Sequence, residues 1–375
     1  MFNSFMAKMT ALLISITLTF GTVFGVYKAS KTKDPSEYYD SNIKNVIYLI
    51  GDGMGFNHLE KTKLERETTL VMDTFEIGGS SMTRSFNKKV TDSAAGGTAL
   101  ASGIRTSNSA VGVYNLDKKA RYSYPKNITE LCMERGMLTG VVTTDATTGA
   151  TPSSFSAHES DRDNTAELTV DQFASGINLI WGHSNGVATV SQAEAAGYEY
   201  IATYDEMMAL EEGSYSYAQF TSQMWPLENT TPQTPTLEQM AMRAIDILDD
   251  TDEGFFLMIE GAHIDKKSHD NLSDEMTEAL KAFDNTIEAV LEYAKADGET
   301  LVVITADHET GAITLKNGEY KFTSDGHSAA DVPVLVYGSD KLIAKGEKLN
   351  NYEIPIRIAY MLGFDETQFP VAVLV

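Results

Sequence analysis

Glu260-Gly261-Ala262-His263-Ile264-Asp265-Lys266-Lys267-Ser268-His269, entered from the apolar run Phe255-Phe256-Leu257-Met258-Ile259, is the stretch on which the reading of the chain turns. The apolar run reads as a buried strand with Glu260 at its tip. Asp265 and His269 lie four apart, so one turn of helix sets both on one face. Taken alone, such a pair is also the mark of a solvated helix contact. Two further stretches repeat the design: Asn45-Val46-Ile47-Tyr48-Leu49-Ile50-Gly51-Asp52-Gly53, and Leu301-Val302-Val303-Ile304-Thr305-Ala306-Asp307-His308-Glu309. Each apolar strand hands over to acid or imidazole groups, and three such strands point to ion binding rather than packing.

Composition sets the frame. A chain of 375 residues with 42% hydrophobic and 22% charged residues is long enough to bury a substantial core. Its net charge of -24 argues against nonspecific nucleic-acid binding. Such a surface also repels anionic substrates, unless bound cations and placed arginines reverse the field locally; the same charge equally serves solubility alone. A basic start ending at Lys8, an apolar run from Met9 to about Val26 and a polar stretch from Lys28 form a secretory pattern. Two outcomes fit: a signal peptide, residues 1–25, cleaved after Gly25, or an uncleaved anchor reaching about residue 27. The expected location is therefore periplasmic or extracellular, with membrane attachment only in the second case. Cys132 is the one cysteine, so no internal disulfide is available to an exported chain, and core and metals must hold it together.

Strands alternate with helical patterns along the rest of the chain. Helices are expected over 56–67, over 127–135, over 236–250 with Leu237, Met240, Ala244, Ile247 and Leu248 on one stripe, over 273–296 with Met276, Leu280, Phe283, Ile287, Val290 and Leu291 facing inward, and near 352–362. Further strands are expected at 138–144, 177–181 and 332–337, and a hairpin at 313–322 around Asn317-Gly318. Strand, helix, strand in succession implies right-handed crossovers and a mostly parallel sheet, hence an α/β three-layer sandwich. Residues 42–375 read as one domain, with 183–235 as a marginal excursion on the sheet.

Ligands of open parallel sheets bind beyond the carboxyl ends of the strands, where Asp52, Glu260 and Asp307 stand. Asp92-Ser93 precede Ala94-Ala95-Gly96-Gly97-Thr98-Ala99, a run of small residues able to form a close-packed helix whose N-terminal amides suit phosphate. Asp92 or Ser93 is equally read as a plain N-cap, and a cap and a nucleophile can be neighbours. The ligand types available, Asp52, Thr151, Glu260, Asp265, His269, Asp307, His308 and His327, suffice for two imidazole and carboxylate zinc sites and one oxygen-only site.

From about Asn45 to Leu362 the chain resembles the alkaline phosphatases. The resemblance rests on Gly51-Asp52-Gly53, Asp92-Ser93-Ala94, Ala150-Thr151-Pro152 with Arg162 eleven after Thr151, the 260–269 stretch, Thr305 to Glu309, and Gly326-His327-Ser328, all in the family's order. It implies one Zn²⁺ held by Asp265, His269 and His327, and a second held by Asp307, His308 and Asp52. It implies as well that Asp52 bridges to a Mg²⁺ bound by Glu260 and Thr151. The resemblance further implies Ser93 as nucleophile coordinated to the second zinc, Arg162 as the clamp on phosphoryl oxygens, and Lys266 near the phosphate. Small phosphate monoesters are the implied substrates, a phosphoserine the implied intermediate and a homodimer the implied assembly. Two residues before Thr151, where the family commonly carries Asp or His, this chain has Gly149; a weaker magnesium site and dependence on added Mg²⁺ are expected from that departure. His58, His158, His183 and His263 match no family role and are assigned to the surface or to local hydrogen bonds. Only 18 residues separate His308 from His327, as in a compact version of the fold. The competing readings are a metal-dependent phosphodiesterase or nucleotide pyrophosphatase, and an exported metal-binding module without catalysis.

Overall fold

A ten-stranded sheet carries the molecule. The computed structural model describes residues 33–114, 123–220, 233–249, 251–370 and 372–374. The expected signal peptide or anchor thus lies outside the described residues. Among these residues no helix is long and apolar enough to cross a membrane.

At the centre of the sheet lie Thr300–Thr305, Asn45–Gly51, Phe255–Gly261 and Leu138–Ala146, all parallel neighbours. Their register decides where chemistry is possible. Ile50 pairs with both Glu260 and Thr305, and Glu260 pairs with Thr143, so all these strands end at one level. Asp52, Glu260, Asp307 and Asp145 consequently gather at one edge. Val332–Tyr337 runs antiparallel both to Thr300–Thr305 and to Ile77–Met82, and interrupts an otherwise parallel arrangement.

Alternation along the central strands explains the layers. Ile47, Leu49, Leu257, Ile259, Val302 and Ile304 face one core, shared with Met240, Ala244 and Leu248 of Leu237–Leu248 and with Met276, Leu280, Phe283 and Ile287 of Ser273–Asp297. Val46, Tyr48, Ile50, Phe256, Met258, Leu301 and Val303 face the other, against Leu131 and Cys132 of Ile128–Glu134 and Ile354, Ile358 and Ala359 of Glu353–Met361. Sheet strands buried on both faces read as continuous apolar runs, which is why they stood out. Each such side chain contributes about 1.5–3 kcal/mol.

The expected three-layer arrangement is present, with differences at its margin. Residues 183–220 carry more structure than the excursion expected of them: helices Val190–Ala195 and Tyr204–Ala209, and strands Glu199–Ile201 and Ser216–Phe220 that close the sheet. Ser216–Phe220 escaped notice because its Ser, Tyr, Ala and Gln make no apolar run, although all five residues are buried. Between Gly149 and Arg162, Ala150–Ser154 forms a short helix. The hairpin is found as Thr314–Lys316 paired with Glu319–Lys321.

Candidate active site

Ser93 opens the helix Ser93–Ser102, whose N-cap is Asp92. Asp92 Oδ1 accepts from Ala95 N at 2.9 Å and its Oδ2 from Ser109 N at 2.7 Å, which fixes both the helix end and the loop beside it. Arg162, anchored through its amide to Ser109 O at 2.9 Å, brings Nη1 to 4.0 Å from Asp92 Oδ2. The Ser93 hydroxyl is buried, with Oγ 3.1 Å from His308 Nε2. Small residues make this approach possible. A Cβ at Gly97 would stand 2.8 Å from Ser154 Oγ and 3.2 Å from Thr151 Cα, so the serine helix packs directly on the helix that carries Thr151.

One ligand cluster joins Asp265, His269 and His327, whose ligating atoms lie within 4.8 Å of one another. Asp265 and His269 sit on the helix His263–His269, as their spacing predicted. His269 Nδ1 meets Asp325 O at 2.5 Å and His327 Nδ1 meets Thr91 O at 2.9 Å. A carbonyl only accepts, so each Nδ1 carries the proton and each Nε2 presents a lone pair. Those two nitrogens face each other at 3.1 Å, with Asp265 Oδ1 at 3.4 and 3.7 Å. Lone pairs and a carboxylate converging in this way fit a cation, and histidine ligands are ordinarily held through the opposite nitrogen in this fashion.

A second cluster surrounds His308. Its Nε2 lies 3.5 Å from Asp52 Oδ1 and 3.2 Å from Asp307 Oδ2. Both of those carboxylate oxygens are buried without a hydrogen-bond partner. Asp307 Oδ1, by contrast, accepts from Gly53 N at 3.2 Å and His308 N at 3.0 Å, which orients the carboxylate. Asp52, Asp265 and His308 also form a group within 4.8 Å, so Asp265 belongs to both clusters and links them. The close turn rests on Gly53, at φ +72°, where a Cβ would sit 2.9 Å from Asp265 Cα.

Glu260 and Thr151 complete the arrangement. Glu260 Oε2 accepts from Thr143 Oγ1, while Thr151 Oγ1 is buried without a partner. Burial, then the nearby Asp145 charge, pushes the Glu260 carboxyl up to about 8. Burial, then Asp307, Asp265 and Glu260, pushes Asp52 well above the usual carboxylate range. Burial, then His327, holds His308 well below the usual imidazole range and so keeps it neutral. Carboxylates crowded at this density beside an imidazole held neutral, that of His308, fit cations, which neutralise the former and take the lone pair of the latter.

All eleven expected residues thus lie at the carboxyl edge of the sheet or on the elements packed there. Lys266 reaches Asp145, with which it pairs. Two residues were missed. Asp145 was visible as the end of a strand but matched no motif, and His183, assigned to the surface or to local bonding, places Nε2 3.4 Å from Asp145 Oδ1. His58 is buried and His263 half-buried, and burial lowers both imidazoles to about 3. His58 instead accepts from Gly55 N at 3.2 Å and meets Ser268 Oγ at 3.1 Å. His158 bonds Gly112 O at 2.6 Å and Glu130 at 3.0 Å, a local structural role.

Comparison with known proteins agrees with this geometry. The profile of the alkaline phosphatase family matches residues 43–180 and 182–324. Alkaline phosphatase 3 of Bacillus subtilis (strain 168) is 31% identical over 353 residues, covering 88% of this chain and 75% of that protein. The streptomycin-6-phosphate phosphatase of Streptomyces griseus is 30% identical over 336 residues, 71% of this chain and 69% of that one. Among solved structures, the alkaline phosphatase of the Antarctic bacterium TAB5 superposes with a TM-score of 0.72 at 29% identity, covering 86% of this chain and 99% of that chain. A histidine-to-glutamate mutant of that phosphatase, with Mg bound in its M3 site, superposes equally well, with a TM-score of 0.72. With the family profile spanning most of the chain and these relatives on the same fold, the chain belongs to the alkaline phosphatase family, metal-dependent enzymes that hydrolyse phosphate monoesters.

Proposed function

We propose that the protein cleaves small phosphate monoesters by two displacements at phosphorus, with Ser93 carrying the phosphoryl group between them. The observation that carries this reading is the place of Ser93 Oγ. It stands at a helix N-terminus, 3.1 Å from His308 Nε2, beside two clusters that share Asp265.

Asp265, His269 and His327 are the proposed holders of one zinc ion, Asp52, Asp307 and His308 of the second, and Glu260, Thr151 and Asp52 of a magnesium ion. The two facing imidazole lone pairs and the unpartnered Asp52 Oδ1, Asp307 Oδ2 and Thr151 Oγ1 support those assignments. When bound, such ions lower the pKa of a coordinated hydroxyl or water, and offset charge on the entering and departing oxygens. The chain's own groups supply the rest. Ser93 Oγ attacks phosphorus in line with the departing alcohol oxygen, aided by the positive end of its helix. Arg162 offers a planar fork to two equatorial phosphoryl oxygens, a contact that lysine does not reproduce. Lys266, across its pair with Asp145, reaches the phosphate through water. Water then attacks the phosphoserine from the face the alcohol vacated, giving net retention at phosphorus.

Residues 42–375 act as one catalytic domain in this reading, in an exported protein that pairs as a homodimer. The phosphodiesterase alternative is disfavoured because Asp92-Ser93-Ala94 together with Arg162 is the pattern on which the resemblance to monoesterases rests. Turnover of p-nitrophenyl phosphate is compared with turnover of its bis ester, on protein whose zinc and magnesium content is measured. Preference for the monoester with two zincs per chain is expected; preference for the diester, or bound zinc without turnover, contradicts the proposal.

A further inference from the structure

The sequence leaves the third cation site short of a group, because residue 149 is glycine. The structure shows where its space has gone. A Cβ built on Gly149 would stand 2.6 Å from Asp145 Oδ2 and 2.9 Å from Asp145 Cγ. The volume that a side chain at 149 would enter is filled by a carboxylate from four residues upstream, and the glycine is what makes room for it.

That carboxylate is oriented. Ala146 N donates to Oδ1 at 2.7 Å, Lys266 Nζ pairs with the same oxygen, and His183 Nε2 lies 3.4 Å from it. The Ala146 amide and the Lys266 ammonium gather on Oδ1, with His183 Nε2 beside them, and Oδ2 is the oxygen turned toward Gly149. The amide of Asp145 donates to Thr143 Oγ1 at 2.7 Å, and Thr143 Oγ1 donates in turn to Glu260 Oε2. Asp145 and Glu260 are therefore tied to one threonine, on neighbouring strands of matched register. The independent sign of a ligand here is Thr151 Oγ1, two residues beyond Gly149, which is buried without a partner on a residue only 1% exposed.

We propose that Asp145 supplies the carboxylate missing at residue 149, so that the magnesium site is served by Asp52, Thr151, Glu260 and Asp145, with Lys266 and His183 as positioning residues that hold Asp145 by Oδ1. This rests on the third-cation reading above and deepens it. It also reverses the expectation drawn from Gly149 alone: the site is complete, and Mg²⁺ is retained without a large excess in the buffer. Supporting groups of this kind change metal affinity by about 10- to 100-fold when removed.

The test is calorimetric titration of Mg²⁺ into zinc-loaded protein, followed by metal analysis after dialysis. Asp145→Ala is expected to bind Mg²⁺ about 10- to 100-fold more weakly, with its zinc content unchanged. The double variant Asp145→Ala/Gly149→Asp puts the carboxylate back from the other backbone position, now that the space is clear, and is expected to recover most of that loss. Unchanged Mg²⁺ affinity in Asp145→Ala overturns the proposal, as do parallel loss of zinc and a double variant as weak as the single one. A parent protein that holds zinc but takes up no Mg²⁺ overturns the third-cation reading itself, a separate outcome.

Discussion

Gly96 lies so close to Asp307 that a Cβ at residue 96 would stand 2.8 Å from the Asp307 carbonyl oxygen and 3.1 Å from its Cβ. The helix that presents Ser93 and the strand end that presents Asp307 and His308 are thus separated by nothing but backbone. Gly96→Ala is expected to gain up to about 1 kcal/mol of helix propensity and to lose about 1–3 kcal/mol to overpacking. The clash wins, because a carbonyl cannot rotate away as a side-chain end can. Because the serine helix must move, turnover should fall about 100-fold, far beyond what the stability change explains. Thermal unfolding beside steady-state kinetics checks both parts; a variant with full activity contradicts the packing account.

The facing nitrogens of His269 and His327 give a second prediction. His327→Ala leaves Asp265 and His269 as a two-group remnant, which should not retain its ion on gel filtration. Metal analysis is expected to show one zinc fewer per chain, with hydrolysis lost. Excess zinc should restore the parent enzyme after chelation, but not the variant.

Arg162→Lys keeps the charge and removes the fork. Loss of one charge-assisted hydrogen bond, worth about 1.5–3 kcal/mol, should lower kcat/KM by about 10- to 100-fold. Inhibition by inorganic phosphate should weaken in proportion, because phosphate makes the same contact. Equal phosphate inhibition in variant and parent counts against a clamp at this position.

His58, which is not among the proposed ligands but meets Ser268 on the helix that carries two of them, supplies a pH dependence of its own. Burial lowers its imidazole to about 3 in the folded protein, whereas the unfolded chain has the ordinary value of 6.5. Between those values the unfolded state binds more protons, so stability rises with pH across the window and is lost as pH falls through it. Acid unfolding of the metal-free protein should steepen below pH about 6.5, and His58→Gln should flatten the slope there. An unaltered slope in the variant removes His58 from the explanation.

How much of this was legible in the sequence follows from what each group needs. Glu260, Asp52 and Asp307 follow apolar runs of the central strands, and runs buried on both faces announce themselves. Asp265 and His269 follow from helical spacing, and Ser93 from its place before a run of small residues. Asp145 did not stand out, because its contribution depends on a contact with Gly149, His183 and Lys266 that only the folded loops create. The outer strand Ser216–Phe220 was likewise hidden, since its buried Ser216, Tyr217 and Gln219 are satisfied by side-chain bonds to Trp181, Thr147 and Gln172. Polar residues buried in a network carry no apolar signature.

The central claim, that Ser93 bears the phosphoryl group, is tested most directly by acid quenching during turnover at low pH, followed by mass spectrometry of the peptide containing residue 93. Phosphate on Ser93 in the parent enzyme, and none in a Ser93→Ala variant that keeps its zinc but loses hydrolysis, is the predicted result. Undiminished turnover by Ser93→Ala, or phosphate trapped on another residue, would contradict it.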